Sequence, residues 1–159
     1  MKNLLPSSSL SKEQSETPSL NEMRAFAYRL LGRREYSIFE LDRRLRQKWP
    51  EATAVEELME ALVAENLVSD ERYAEAFVRF RIQRHQGPLK IKAALRTKGI
   101  SDDLISHELG AHSEEWTDLA ARWLERQNPG TIDFEKKKKY YRRLTSRGFT
   151  HDQAMEVLP

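Results

Sequence analysis

The sequence predicts an all-α protein made of three tandem three-helix units, and three observations carry the prediction. The chain repeats itself. Residues 95–109 (LRTKGISDDLISHEL) align without a gap on residues 144–158 (LTSRGFTHDQAMEVL), which places Leu95 on Leu144, Lys98 on Arg147, Gly99 on Gly148, Ile100 on Phe149, Ser101 on Thr150, Asp103 on Asp152 and Leu109 on Leu158. A weaker third copy lies upstream, where Leu45 and Lys48 precede Trp49 and Thr53. A spacing of about 50 residues is that of one supersecondary unit used three times. Helix start and stop signals punctuate the chain from Ser19 onward, and no segment alternates like a strand over six residues.

Each element has its own justification. Residues 1–18 hold five Ser and two Pro without an apolar period and read as a disordered tail. The first unit, 19–68, opens with the capping-box pattern Ser19–Glu22 before a helix at 22–31. Ser37 with Glu40 starts a helix at 38–48 with Ile38, Leu41 and Leu45 on one stripe, and Thr53 with Glu56 starts one at 54–65. The second unit, 69–112, holds helices at 70–84 (Tyr73, Phe77, Phe80), 88–98 (Ile91, Leu95) and 102–109. The third, 113–159, holds helices at 114–127 (Leu119, Trp123), 134–147 and 151–157, the last opened by Thr150 with Gln153. Ser69, Ser101 and Ser113 are expected N-caps, each followed by two acids that suit the positive end of a helix. Three helices can enclose a small core, superficially like a homeodomain or helix-turn-helix module. Units this small are marginal alone, so neighbours should support one another.

Charge follows the repeat. Residues 79–98 carry seven cations and no acid (Arg79, Arg81, Arg84, Lys90, Lys92, Arg96, Lys98), and 136–147 carry seven more (Lys136, Lys137, Lys138, Lys139, Arg142, Arg143, Arg147). Segments 51–65 and 101–118 hold five and six acids and no cation. One charged run reads first as a solvated face. Here the pattern recurs in register with the repeat, spans two basic blocks and is interleaved by Tyr140 and Tyr141 in the second. Unpaired cations repel one another unless a polyanion or an acidic protein face offsets them. The reading is an anionic partner contacted by Arg81, Arg84, Lys90, Lys92, Arg96, Lys98, Lys136, Lys139, Arg143 and Arg147.

Catalytic patterns are missing. The four His (His85, His107, His112, His151) are scattered, and His107 and His112 lie five apart across an expected helix end, so no metal site is expected. Gly87-Pro88 begins a helix and is no phosphate loop, the serines read as caps, and no cofactor is expected. The absence of Cys suits a reducing cytoplasm, no run approaches a membrane span, and the first residues lack an export signal. A cytoplasmic monomer without enzymatic activity is the expectation.

The stretch 66–101 (NLVSDERYAEAFVRFRIQRHQGPLKIKAALRTKGIS) resembles the central signature of the RecX family of recombination regulators, through Leu67, Asp70, Tyr73, Arg81, Gly87, Pro88, Ile91, Leu95, Lys98, Gly99 and Ile100. Ser37, Glu40, Leu41 and Leu45 are similar to the family's first repeat, and Arg147-Gly148-Phe149 to its last. The likeness covers about residues 22–158, and one departure is Trp49-Pro50, where Lys-Gly is usual. It implies three repeats in an elongated, curved array, and a role in DNA recombination, repair and the SOS response. It also implies a non-enzymatic modulator that binds the filament of RecA on ssDNA and inhibits its ATPase, strand exchange and coprotease activities. Binding to free ssDNA should be weak and indifferent to sequence. The rival is a helix-turn-helix-like regulator acting on duplex DNA; the expected helix at 88–98 contains neither Asn nor Gln to read base edges.

Overall fold

The computed structural model describes residues 18–50 and 53–159; the expected tail lies outside the described residues except for Pro18. Among the described residues there are nine helices and no strand: α1 Leu20–Leu31, α2 Ile38–Lys48, α3 Ala54–Ala64, α4 Asp70–Gln83, α5 Pro88–Thr97, α6 Asp102–Gly110, α7 Trp116–Arg126, α8 Phe134–Ser146 and α9 His151–Val157.

Local chemistry sets most of the helix starts. The boxes at Ser37–Glu40 and Thr150–Gln153 are complete, each hydroxyl accepting the N–H three residues on and each N3 side chain accepting the cap N–H. Ser19, Ser69 and Ser101 accept the N–H of Glu22, Arg72 and Leu104, although Glu22 does not close the expected box. Two expectations fail. Thr53 is itself helical (φ −70°, ψ −23°), and a hydroxyl can cap only from an extended backbone, so it makes no cap bond. Ser113 lies in a run of tight turns after α6, its N–H donating to Gly110 O, and α7 begins later, at Trp116. The Trp116 indole N–H donates to Leu109 O (3.3 Å) and fixes that start. An unexpected cap is Asp133, which accepts the Lys136 N–H (2.9 Å) and opens α8.

The extensive helix–helix contacts fall within the triplets α1–α3, α4–α6 and α7–α9. Met23, Ala27, Leu41, Leu45, Val55, Leu58 and Leu62 form a core of the first triplet alone. The other two triplets differ from the one-core-per-unit expectation: Val78, Ile91, Leu95 and Ile105 are continuous with Trp116, Leu119, Leu144 and Phe149 in one cluster. Sharing a core answers the shortage of apolar area in a three-helix unit.

The triplets meet through two equivalent joints. In each, the first turn of a middle helix rests on the turn that ends the next triplet's middle helix. In the first joint Ser37 Oγ donates to Lys98 O (2.7 Å) and the Ile38 N–H donates to Asp70 Oδ1 (2.9 Å). In the second, the Gly87 and Leu89 N–H groups donate to Arg147 O (2.8 Å) and Gly148 O (2.9 Å). Backbone lies directly on backbone there. A Cβ on Gly99 would sit 2.6 Å from Phe39 Cβ, and one on Gly148 would sit 2.3 Å from Lys90 Cβ. Both glycines also hold positive φ (+75° and +96°). At the Trp49-Pro50 departure no helix start docks on the turn among the described residues. Trp49 is used for packing instead, edge-on to Phe26 at 5.4 Å.

Candidate polyanion-binding face

The first basic run is less free than its sequence suggests, because acids outside the run reach in. Arg79 pairs with Glu75 (2.6 Å), Arg96 with Asp102 (2.8 Å) and Lys98 with Glu40 (2.8 Å). Glu40 also pairs with Arg34 (3.2 Å), and its side chain is only 13% exposed. Burial alone would raise the Glu40 carboxyl, but hydrogen bonds from Lys98 and Arg34 outweigh it and hold the carboxyl below its ordinary value. Arg81 is half-buried over the Phe77 ring (4.6 Å), with Nη1 donating to Gln86 Oε1 (2.9 Å). Arg84, Lys90 and Lys92 form no ion pair among the described residues; Arg84 stacks on the exposed Phe80 ring at 4.5 Å. Ile91 and Leu95 turn inward and are fully buried, while Ala94 is only half-buried.

The second run keeps its charge. Its one ion pair among the described residues is Lys138 with Glu135 (3.1 Å). Lys136 folds back, Nζ donating to Pro129 O (3.0 Å) and Thr131 O (3.1 Å), and so braces the α7–α8 loop. Lys139 and Arg143 are exposed and flank the Tyr140 ring at 5.7 and 6.0 Å. Arg147 is structural as well as basic: it donates to the carbonyls of Arg84 and His85 across the second joint and lies 5.5 Å from the Trp123 ring. Burial lowers its pKa, yet an Arg guanidinium stays charged at any ordinary pH.

Of the ten expected contact residues, the structure leaves Arg84, Lys90, Lys139 and Arg143 as exposed cations and Lys92 as a half-buried one, all without ion pairs among the described residues, and engages Arg81, Arg96, Lys98, Lys136 and Arg147 internally. Sequence reasoning missed four further arginines, Arg43 and Arg44 on α2 and Arg122 and Arg126 on α7. The interleaved Asp42, Asp118 and Glu125 hide them from a count of linear charge runs. The spacing of Arg122 and Arg126 by four is the signal that could have found them. Among the described residues no group of three or more His, Cys, Asp or Glu could hold a metal ion, and no helix is long and apolar enough to cross a membrane.

A row of three-helix modules joined through their helix starts, with basic surface on successive modules, defines a class of helical-repeat protein that presents an extended face. Comparison with known proteins identifies the family. A family description for RecX, second three-helix domain, matches residues 69–109. The chain is 40% identical over 129 residues to Regulatory protein RecX of Actinobacillus pleuropneumoniae serotype 5b, covering 81% of this chain and 85% of that protein. It is 38% identical over 134 residues to Regulatory protein RecX of Chromohalobacter salexigens, covering 83% and 88%. The crystal structure of RecX from Lactobacillus salivarius superposes with a TM-score of 0.77 at 22% identity, over 86% of this chain and 92% of that one. The chain belongs to the RecX family.

Proposed function

We propose that this protein is a regulator that acts by binding rather than catalysis, and that its partner is the RecA filament on ssDNA. Relatives at 40% and 38% identity over most of their length carry the name Regulatory protein RecX, and the first-unit, central and last-unit motifs all resemble that family. In this reading the repeats 19–68, 69–112 and 113–159 lie side by side as contact modules of a cytoplasmic monomer. Their solvent-facing cations meet the acidic and phosphate groups of the filament. The observation that carries the reading is the repeated basic surface, whose unpaired members Arg84, Lys90, Lys92, Lys139 and Arg143 sit on adjacent triplets. A face spread over several modules can bridge protomers of a helical polymer, which favours inhibition of ATP hydrolysis, strand exchange and coprotease activity. Free ssDNA is bound weakly and without sequence preference, since Lys and Arg supply phosphate contacts and little base readout.

The helix-turn-helix reading meets a geometric obstacle. In that reading the basic middle helices would read DNA, and a recognition helix presents its N-terminal residues to base edges. Here the first turns of α2 and α5 are hydrogen-bonded into the joints, by Ser37 and Ile38 in one and by Gly87 and Leu89 in the other. Co-sedimentation of the protein with RecA assembled on ssDNA, and with free RecA, tests the proposal. Preferential pelleting with the filament is the expected result. Equal recovery with and without filament overturns it.

A further inference from the structure

The two joints share a backbone design but differ in charge, and the difference points to a site. In the first joint the acid Glu40 stands at the third position of α2 and neutralises Lys98 and Arg34. In the second joint the third position of α5 is Lys90, and the cation equivalent to Lys98 is Arg147, which has no carboxylate partner among the described residues. α7 adds Arg122 and Arg126, four apart and exposed, neither in an ion pair among the described residues. Beside them an open groove of about 640 Å³ runs between α7 and α8, lined by Trp123, Gln127, Arg142, Arg143, Ser146 and Arg147. No carboxylate lines it.

We propose that this groove, together with Arg122 and Arg126 beside it where it opens onto the α4–α5 loop at the second joint, is a phosphate-binding site that grips consecutive phosphodiesters of one nucleic-acid strand. The inference deepens the function proposed above and takes from it only the identity of the polyanion. Two features select phosphates over an acidic protein face. The lining offers guanidinium forks and amide donors, and its one large apolar ring, Trp123, is buried under Arg147. Protein interfaces rely instead on exposed aromatic and aliphatic anchors, whereas nucleic-acid interfaces are polar and strongly positive. His85 reports on the same place. Burial holds its imidazole below the ordinary value, and Arg126, Arg147 and Arg122 depress it further; the charged groups acting on it, from α7 and α8 alike, are all cations. Phosphates seated among those arginines reverse that field and raise the imidazole pKa.

The test uses the full chain and oligo-dT, without RecA, so a negative filament result and a negative result here remain separate. Affinity is measured across a salt series for the parent and for Arg122→Glu/Arg126→Glu, with circular dichroism to check folding; if that pair unfolds, Arg122→Gln/Arg126→Gln carries the measurement. Loss of two phosphate contacts should lower the slope of log affinity against log salt by about 1.4, at about 0.7 per contact, and should weaken binding at low salt about tenfold or more. Proton NMR of the parent should show the His85 pKa rising when oligo-dT is added. A folded variant with the parent's affinity and slope overturns the site, as does a His85 pKa unmoved by saturating oligo-dT. If poly-glutamate of equal charge binds as tightly and loses as much in the variant, the groove is a seat for acidic protein and the phosphate assignment fails.

Discussion

Gly148→Ala tests the joint on which the arrangement of the triplets depends. The methyl carbon would fall 2.3 Å from Lys90 Cβ, 2.5 Å from Lys90 N and 3.0 Å from Gly87 O. Two of these three atoms are backbone, so no side-chain rotation relieves the overlap, and α5 must lift away from the turn. The left-handed backbone of residue 148 (φ +96°) adds its own strain. That conformation costs an L residue about 1–2 kcal/mol. Forced overpacking costs about 1–3 kcal/mol. Together they imply about 2–5 kcal/mol, a melting temperature lower by about 4–20 °C at this chain length. Gly110→Ala is the control: it is helical, nothing lies within 4 Å of its Cβ position, and alanine there should be neutral or stabilise by about 0.5 kcal/mol. Gly87→Ala meets the opposite side of the same contact, 2.3 Å from Gly148 C, so the double variant should lose less than the sum of the single losses. Thermal melts followed by circular dichroism decide it. A Gly148→Ala protein melting within about 1 °C of the parent, or a Gly110→Ala protein harmed equally, refutes the close-packed joint.

Ile91→Ala or Leu95→Ala should each cost about 2–5 kcal/mol in urea titrations, because both side chains are fully buried in the shared core. Glu40→Gln should destabilise the first joint by about 1.5 kcal/mol at neutral pH through loss of charged hydrogen bonds to Lys98 and Arg34. Glu40 is held below its ordinary value of 4.5, so its contribution is present above that pH and is lost as pH falls through the folded-state value. Stability curves of parent and Glu40→Gln should therefore converge on acidification. Reversing Lys90, Lys139 and Arg143 together to Glu should leave the melting temperature nearly unchanged, since none is in an ion pair among the described residues, while binding to the RecA–ssDNA filament falls sharply in a pelleting assay.

Local chemistry was the legible part. α2 and α9 span the ranges their sequences predict, and each begins where it does because a complete capping box is written into four adjacent residues. The glycine turns were visible too, since Gly99 and Gly148 fall in register within the repeat. What the chain could not disclose is what each apolar or charged side chain meets. Periodicity shows that Ile91, Leu144 and Phe149 face inward, but not that two triplets pool one core. Lys98 looked free because its partner Glu40 lies 58 residues upstream. Arg122 and Arg126 fall outside both basic runs because Asp118 and Glu125 interrupt the charge in sequence, whereas helical geometry puts the two arginines together. Ser113 read as a cap from composition, yet consecutive turns carried the chain past it and Trp116 packing chose the helix start.

The most direct test of the central claim is the rate of ATP hydrolysis by RecA on ssDNA, measured with increasing amounts of the purified protein. The account predicts that hydrolysis slows in proportion to occupancy of the filament, that the protein hydrolyses no ATP itself, and that the Lys90, Lys139 and Arg143 triple reversal restores most of the rate. RecA turnover unchanged at a several-fold excess of folded protein contradicts it.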